Sequence, residues 1–154
     1  MTHRQFRPEM SNFVFSKKNM PASVKRNTFR KAEKLCSQKE IDRIFSEGKS
    51  LSLSPFRLLY LETEANEHPP VKVLVAVPKK KIKLAVHRNR MKRLIREAYR
   101  MSKHKLIEVI SRSGKHCNIA FIFTGNKCIT QKETLAAING LLDRLILTHE
   151  KNPE

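Results

Sequence analysis

Residues 85–103, "AVHRNRMKRLIREAYRMSK", carry seven Arg and Lys and one acidic residue, Glu97. Placed on a helix at about 100° per residue, the stretch divides into two sides. Val86, Met91, Leu94, Ile95, Ala98 and Met101 gather on one; Asn89, Lys92, Arg93, Arg96, Arg100 and Lys103 gather on the other. Arg88 and Arg90 fall on the flanks. An apolar stripe at this spacing needs a core to pack on, so the rest of the chain must supply a sheet or further helices. The opposite side works against its own helix. Like charges four apart, Lys92/Arg96 and Arg96/Arg100, each cost about 0.2–0.5 kcal/mol. A solvated face ordinarily mixes signs; a face of one sign reads as a surface for a polyanion, and the planar guanidinium fork suits phosphate.

The charge balance agrees. Thirty-two Lys and Arg against fourteen Asp and Glu leave +18 over 154 residues, which points to nucleic acid first and to an anionic membrane surface second. No apolar run approaches the ~18–20 residues that span a bilayer, and the start, "MTHRQFRPEM", lacks the apolar core of a secretory signal. Cys36, Cys117 and Cys128 form no C-x-x-C pair and are odd in number, which predicts reduced thiols and a cytoplasmic protein.

Around the basic stretch the chain reads as one domain, residues 31–148, between a basic N-terminal arm (1–30) and a short tail (149–154). The arm mixes Lys17, Lys18, Lys25 and Arg26 with isolated apolar residues at no period. Ser37-Gln38-Lys39-Glu40 has the form of a capping box, Ile41, Ile44 and Phe45 follow at helical spacing, and Gly48 suits a left-handed stop. Three strands are predicted at 50–54, 56–62 and 71–77, the last with Val71, Val73, Val75 and Val77 on one face. The basic helix then runs over 86–111 toward Ser113-Gly114. "CNIAFIF" (117–123) reads as a strand covered on both sides. Thr130-Gln131-Lys132-Glu133 opens a closing helix with Leu135, Ile138, Leu142, Leu145 and Ile146 on one stripe. The order α-β-β-β-α-β-α gives an α+β fold with helices packed on a four-stranded sheet. Ahead of the basic helix, "PKKKIK" sets Lys79, Lys80, Lys81 and Lys83 next to its free N–H groups, a second feature suited to an anion.

Sites of other kinds fail on spacing. "EGKS" (47–50) imitates the end of a phosphate-binding loop, but Arg43 stands where its first glycine belongs. His116 and Cys117 have no second pair at zinc spacing, so a buried thiol beside a surface imidazole is expected. The two aspartates, Asp42 and Asp143, lie on separate predicted helices, and no nucleophile–base set or carboxylate cluster is legible. No leucine heptads follow "RNRMKRLIREAYR", as a DNA-binding zipper would require.

"AVHRNRMKRLIREAYR", preceded by a lysine run and a valine strand, resembles the protein subunit of bacterial ribonuclease P, whose signature is R-N-R-x-K-R followed by R-E/Q-A. The resemblance covers about residues 33–147, with "EKLCSQKEIDRIFSEGKS" similar to the family's first helix and "FRLLYL" to its second strand. It implies a small fold shared with a ribosomal-protein domain. It also implies that a large RNA is the catalyst and that Mg²⁺ held by that RNA activates the water. The protein would bind the catalytic RNA and the 5′ leader of precursor tRNA; neither DNA nor a membrane is implied, and no residue of the protein is catalytic. The signature falls on Arg88, Asn89 and Arg90 and continues through Lys92, Arg93, Arg96 and Arg100, with Lys79, Lys80 and Lys81 alongside. The family's leader cleft, between first helix and sheet, implies a role for Phe45, and for Ile41 where the family has a second aromatic; Phe56 and Tyr60 are candidates to stack there too, with plain core packing the equal alternative for Phe45 and Phe56. Lys79 and Lys83 stand where the family's lysine loop has serine and glycine. The rival class is a general or ribosome-associated RNA-binding protein with no processing role.

Overall fold

The computed structural model describes residues 27–64 and 69–152. The arm expected over 1–30 therefore lies, up to residue 26, outside the described residues, and with it Lys17, Lys18, Lys25 and Arg26. A 3-10 turn (Lys31–Glu33) leads into helix α1 (Gln38–Glu47), then strands β1 (Lys49–Leu53), β2 (Phe56–Thr63) and β3 (Val71–Ala76). Helix α2 (Ala85–Ser113), strand β4 (His116–Phe123) and helix α3 (Gln131–Lys151) complete the chain in the predicted order. The strands lie β1-β2-β4-β3 in one mixed sheet. β1 and β4 pair antiparallel with β2, while β3 runs parallel to β4. Parallel neighbours need a crossover, and α2 supplies it.

Period two divides the sheet residues between two unequal cores. Phe56, Leu58, Tyr60, Val71, Val73, Ile119 and Phe121 join Met91, Ile95, Tyr99 and Leu106 of α2 and Ile138, Leu141 and Leu145 of α3 in the larger one. On the other face Ile44 of α1, wholly buried, meets Leu59 and Ala120, with Leu61, Leu74 and Ile122 partly buried beside them. β4 thus has cover on both sides, which accounts for its nearly continuous apolar run. Full burial of one such aliphatic side chain contributes about 1.5–3 kcal/mol, so a single isoleucine does most of the holding of α1.

The element ends show which local signals prevail. Thr130 and Glu133 form the predicted box: Thr130 Oγ1 accepts from Glu133 N at 3.3 Å, and Glu133 Oε2 accepts from Thr130 N at 2.8 Å. The box expected at Ser37 does not form; Glu40 turns instead to Lys72 of β3, 3.5 Å away. Gly48 is extended (φ −65°) rather than left-handed. A glycine is needed there because a Cβ would stand 2.1 Å from the carbonyl oxygen of Ile44. The left-handed stop is Gly114 (φ 66°), which ends α2 as expected.

Residues 27–35 belong to the body of the domain, not to an arm. Leu35 N donates to Val73 O at 2.9 Å and Lys34 bridges to Val73, which blunts the free edge of β3. Phe29 stacks edge-on against Tyr99, with ring centroids 5.8 Å apart. Lys103, expected on the anion side of α2, is buried and donates to Glu33 Oε1 and to Thr28 O. Glu33 Oε2 in turn accepts from Arg30 N at 2.6 Å. At the other end α3 continues past residue 148 to Lys151, and His149 is buried, so residues 149–151 of the expected tail are helix. His116, expected at the surface, is also buried, its Nε2 2.9 Å from Asn118 Oδ1.

Three substitutions test these features. Gly48→Ala should lower the unfolding free energy by about 1–3 kcal/mol in urea titrations, because the last turn of α1 must open. Gly114→Ala meets open space and should lose only about 1–2 kcal/mol through its left-handed backbone. Lys103→Met, by stranding Glu33, should destabilise by about 3–5 kcal/mol, and adding Glu33→Met should recover most of the loss. A single Lys103→Met variant as stable as the parent would contradict the buried pair.

Candidate nucleic-acid interface

The rotation of α2 is set by what it buries: Met91, Ile95, Ala98, Tyr99, Leu106 and Ile110 all face the core. This arc is shifted from the predicted stripe toward Tyr99 and Lys103. Val86, in the first turn, is 78% exposed, and Met101 is 48% exposed on the outer seam of α2 and α3, beside Leu142 and Ile146. The same rotation leaves Asn89, Arg90 and Arg93 exposed, with Lys92 and Arg96 half-buried. Among the described residues no carboxylate or hydrogen bond engages Arg90, Lys92, Arg93 or Arg96.

Arg100 is different. Its Nε and Nη2 donate to Glu97 at 3.1 and 2.5 Å, and Nη1 donates to the carbonyl of Asn27 at 2.5 Å. The guanidinium holds the Glu97 carboxyl below the usual carboxylate range. Arg100 is thus neutralised and used to hold the N-terminal segment, as Lys103 is, and the run of free cations ends one turn earlier, at Arg96. Sequence spacing had grouped all of them, because the partner at Asn27 is 73 residues away along the chain.

Before α2 the chain makes a tight turn in which Lys81 N and Ile82 N donate to Pro78 O at 3.0 and 3.2 Å. Ile82 is buried and anchors the turn, so Lys79, Lys80, Lys81 and Lys83 stand exposed around it. Arg88 closes the unit: Nη1 donates to the carbonyls of Ile82 (3.0 Å) and Lys83 (2.6 Å). The first turn of α2 holds no acidic residue, and Leu84 at its N-cap has no side-chain cap bond, so its N–H groups add to the positive field. The lysine turn and the free side of α2 therefore meet at one end of the helix.

The second candidate region is the face of the sheet beneath α1. Phe45 is 52% exposed and Ile41 half-buried on that helix. Phe56 and Tyr60 are not part of this region. They point to the opposite face, where Phe56 packs on Phe123 (5.3 Å) and Tyr60 lies against His149 (6.2 Å), both buried. In β2 it is the alternate set, Arg57, Leu59 and Leu61, that faces α1. Leu61, Leu74 and Ile122, partly buried there, were missed by sequence reasoning. The strand alternation carried the signal, but choosing which set faces α1 required knowing where Ile44 docks.

Among the described residues no group of three or more His, Cys, Asp or Glu is placed to hold a metal ion. Cys36, Cys117 and Cys128 are free thiols, and no helix among these residues is long and apolar enough to cross a membrane.

The family profile for Ribonuclease P matches residues 29–145. The ribonuclease P protein component of Porphyromonas gingivalis (strain ATCC 33277) is 38% identical over 97 residues, covering 63% of this chain and 71% of that protein. That of Chlorobium phaeobacteroides is 38% identical over 109 residues, covering 66% of this chain and 75% of its own length. Among solved structures, the RNase P protein of Staphylococcus aureus superposes with a TM-score of 0.61 at 22% identity, covering 75% of this chain and 96% of that one; at such identity it speaks for the fold alone. The RNase P protein from Thermotoga maritima gives 0.57 at 26% identity, covering 73% and 96%. A profile spanning most of the domain, relatives matched over more than two thirds of their length, and the same fold lead to one conclusion: the chain belongs to the ribonuclease P protein family.

Proposed function

We propose that the chain is the RNA-binding subunit that assists the catalytic RNA of ribonuclease P in removing the 5′ leader from precursor tRNA. One observation carries this: the side of α2 bearing Asn89, Arg90, Lys92, Arg93 and Arg96 has no carboxylate partners among the described residues and runs into the lysine turn. A unit built this way binds ribose-phosphate by releasing counterions, and each contact steepens the salt dependence. Bond breaking belongs to the RNA and to Mg²⁺ held by it. The protein lowers the repulsion between two polyanions brought together at the cleavage site. The unpaired leader lies on the face of the sheet under α1, where the exposed ring of Phe45 and the side chain of Ile41 give its bases something to stack on.

Binding to the catalytic RNA at a series of KCl concentrations tests the first part. Arg90→Ala and Arg96→Ala should each flatten the log–log slope by about 0.7–0.9, while Arg100→Ala changes it less, being already paired. Slopes unchanged in both Arg90→Ala and Arg96→Ala would contradict the proposal. Substrates with and without a leader test the second. Phe45→Ala should weaken binding of the leader-bearing precursor by about 1–3 kcal/mol and leave mature tRNA and protein stability unaffected. Phe56→Ala, in contrast, should unfold more easily by about 3–5 kcal/mol. A general RNA-binding protein would show no such dependence on the leader.

A further inference from the structure

The first arginine of the R-N-R signature is oriented inward. Arg88 is half-buried, and one of its terminal nitrogens, Nη1, donates to two successive carbonyls, Ile82 O at 3.0 Å and Lys83 O at 2.6 Å. Its neighbours in the signature, Asn89 and Arg90, are exposed. Those two carbonyls belong to the turn that displays Lys79, Lys80, Lys81 and Lys83, and this turn has few other ties. Its backbone bonds run to Pro78 O, and its one buried side chain is Ile82. Four ammonium groups in five residues repel one another, and without an external fixture the segment would spread to separate them. The bonds from a guanidinium to carbonyl oxygens are charge-assisted, and they also satisfy carbonyls that no strand or helix engages.

From this geometry we infer that Arg88 is a positioning residue: it fixes the lysine turn against the first turn of α2, so that the lysines and the α2 cations meet one RNA backbone in register, and it does not itself grip phosphate. The inference rests on the RNA-binding role proposed for α2. It assigns different work to two arginines that look equivalent in the sequence. Arg90 offers its charge to the RNA, whereas Arg88 directs the charge of others.

The test uses the full chain with the catalytic RNA of the same organism. Arg88→Lys keeps the charge, but an ammonium at that position ends one bond short of Nη1 and loses the two carbonyls. Arg93→Lys, at an exposed position, is the control. Arg88→Lys should weaken binding about tenfold and flatten the salt slope by more than a single contact, much as Arg88→Ala does, while Arg93→Lys stays near the parent. In the free protein, hydrogen exchange at the amides of Lys81 and Ile82 should speed up in both Arg88 variants, with the amides of β4 unchanged. A parental affinity and slope for Arg88→Lys, or parental exchange at Lys81 and Ile82, overturns the inference. Slopes that fail to respond to Arg90→Ala and Arg96→Ala would instead remove the RNA-binding role itself, so the two failures are told apart.

Discussion

The rotation of α2 about its own axis governs everything else in this molecule. Six buried apolar side chains, from Met91 to Ile110, press that helix onto one face of the sheet and fix its angle. Tyr99 lies between Phe29 (5.8 Å) and Phe121 (6.0 Å). Once these contacts exist, Arg90 and Arg93 are exposed and Lys92 and Arg96 half-buried, all on the side of α2 turned away from its buried stripe. A turn of one residue would carry those cations toward the core and the apolar stripe into water. The parallel pairing of β3 with β4 makes the crossover necessary, and the crossover brings the lysine turn to the start of the helix.

The polar groups that the sequence makes look alike are divided by the fold between two kinds of work. Arg88, Arg100 and Lys103 bond to backbone carbonyls, and Arg100 and Lys103 also to carboxylates, tying down the lysine turn and residues 27–33. Among the described residues Arg90, Lys92, Arg93 and Arg96 do none of this. A strongly basic chain needs both sets: without the first, its loops would separate under their own repulsion, and without the second it would have no surface for a polyanion.

Much of this was legible from residue patterns, because the signals were local. The seven elements come from strand alternation, the 3.6-residue period, the Thr130–Glu133 box and Gly114, each of which acts within a few residues. What was not legible depends on contacts distant in sequence. Ser37 lost its capping partner because Lys72 attracts Glu40. Between stacking and core packing, Phe56 and Tyr60 fall to the core, because only the docking of Ile44 decides which alternate set of β2 meets α1. Lys103 and Arg100 belong to the basic stripe by angle, but residues 27–33 reach back across some 70 positions to claim them. Periodicity gives the side of a helix a residue occupies, not what will come to lie there.

The central claim is a division of labour, in which the protein provides organised positive charge and an RNA provides the chemistry. Its most direct test is reconstitution from purified parts at low Mg²⁺. The chain and its cognate RNA together should cut a precursor tRNA at the mature 5′ end, and neither should do so alone. Cleavage by the chain without RNA, or an RNA whose cleavage at low Mg²⁺ is the same with and without the chain, would contradict the account.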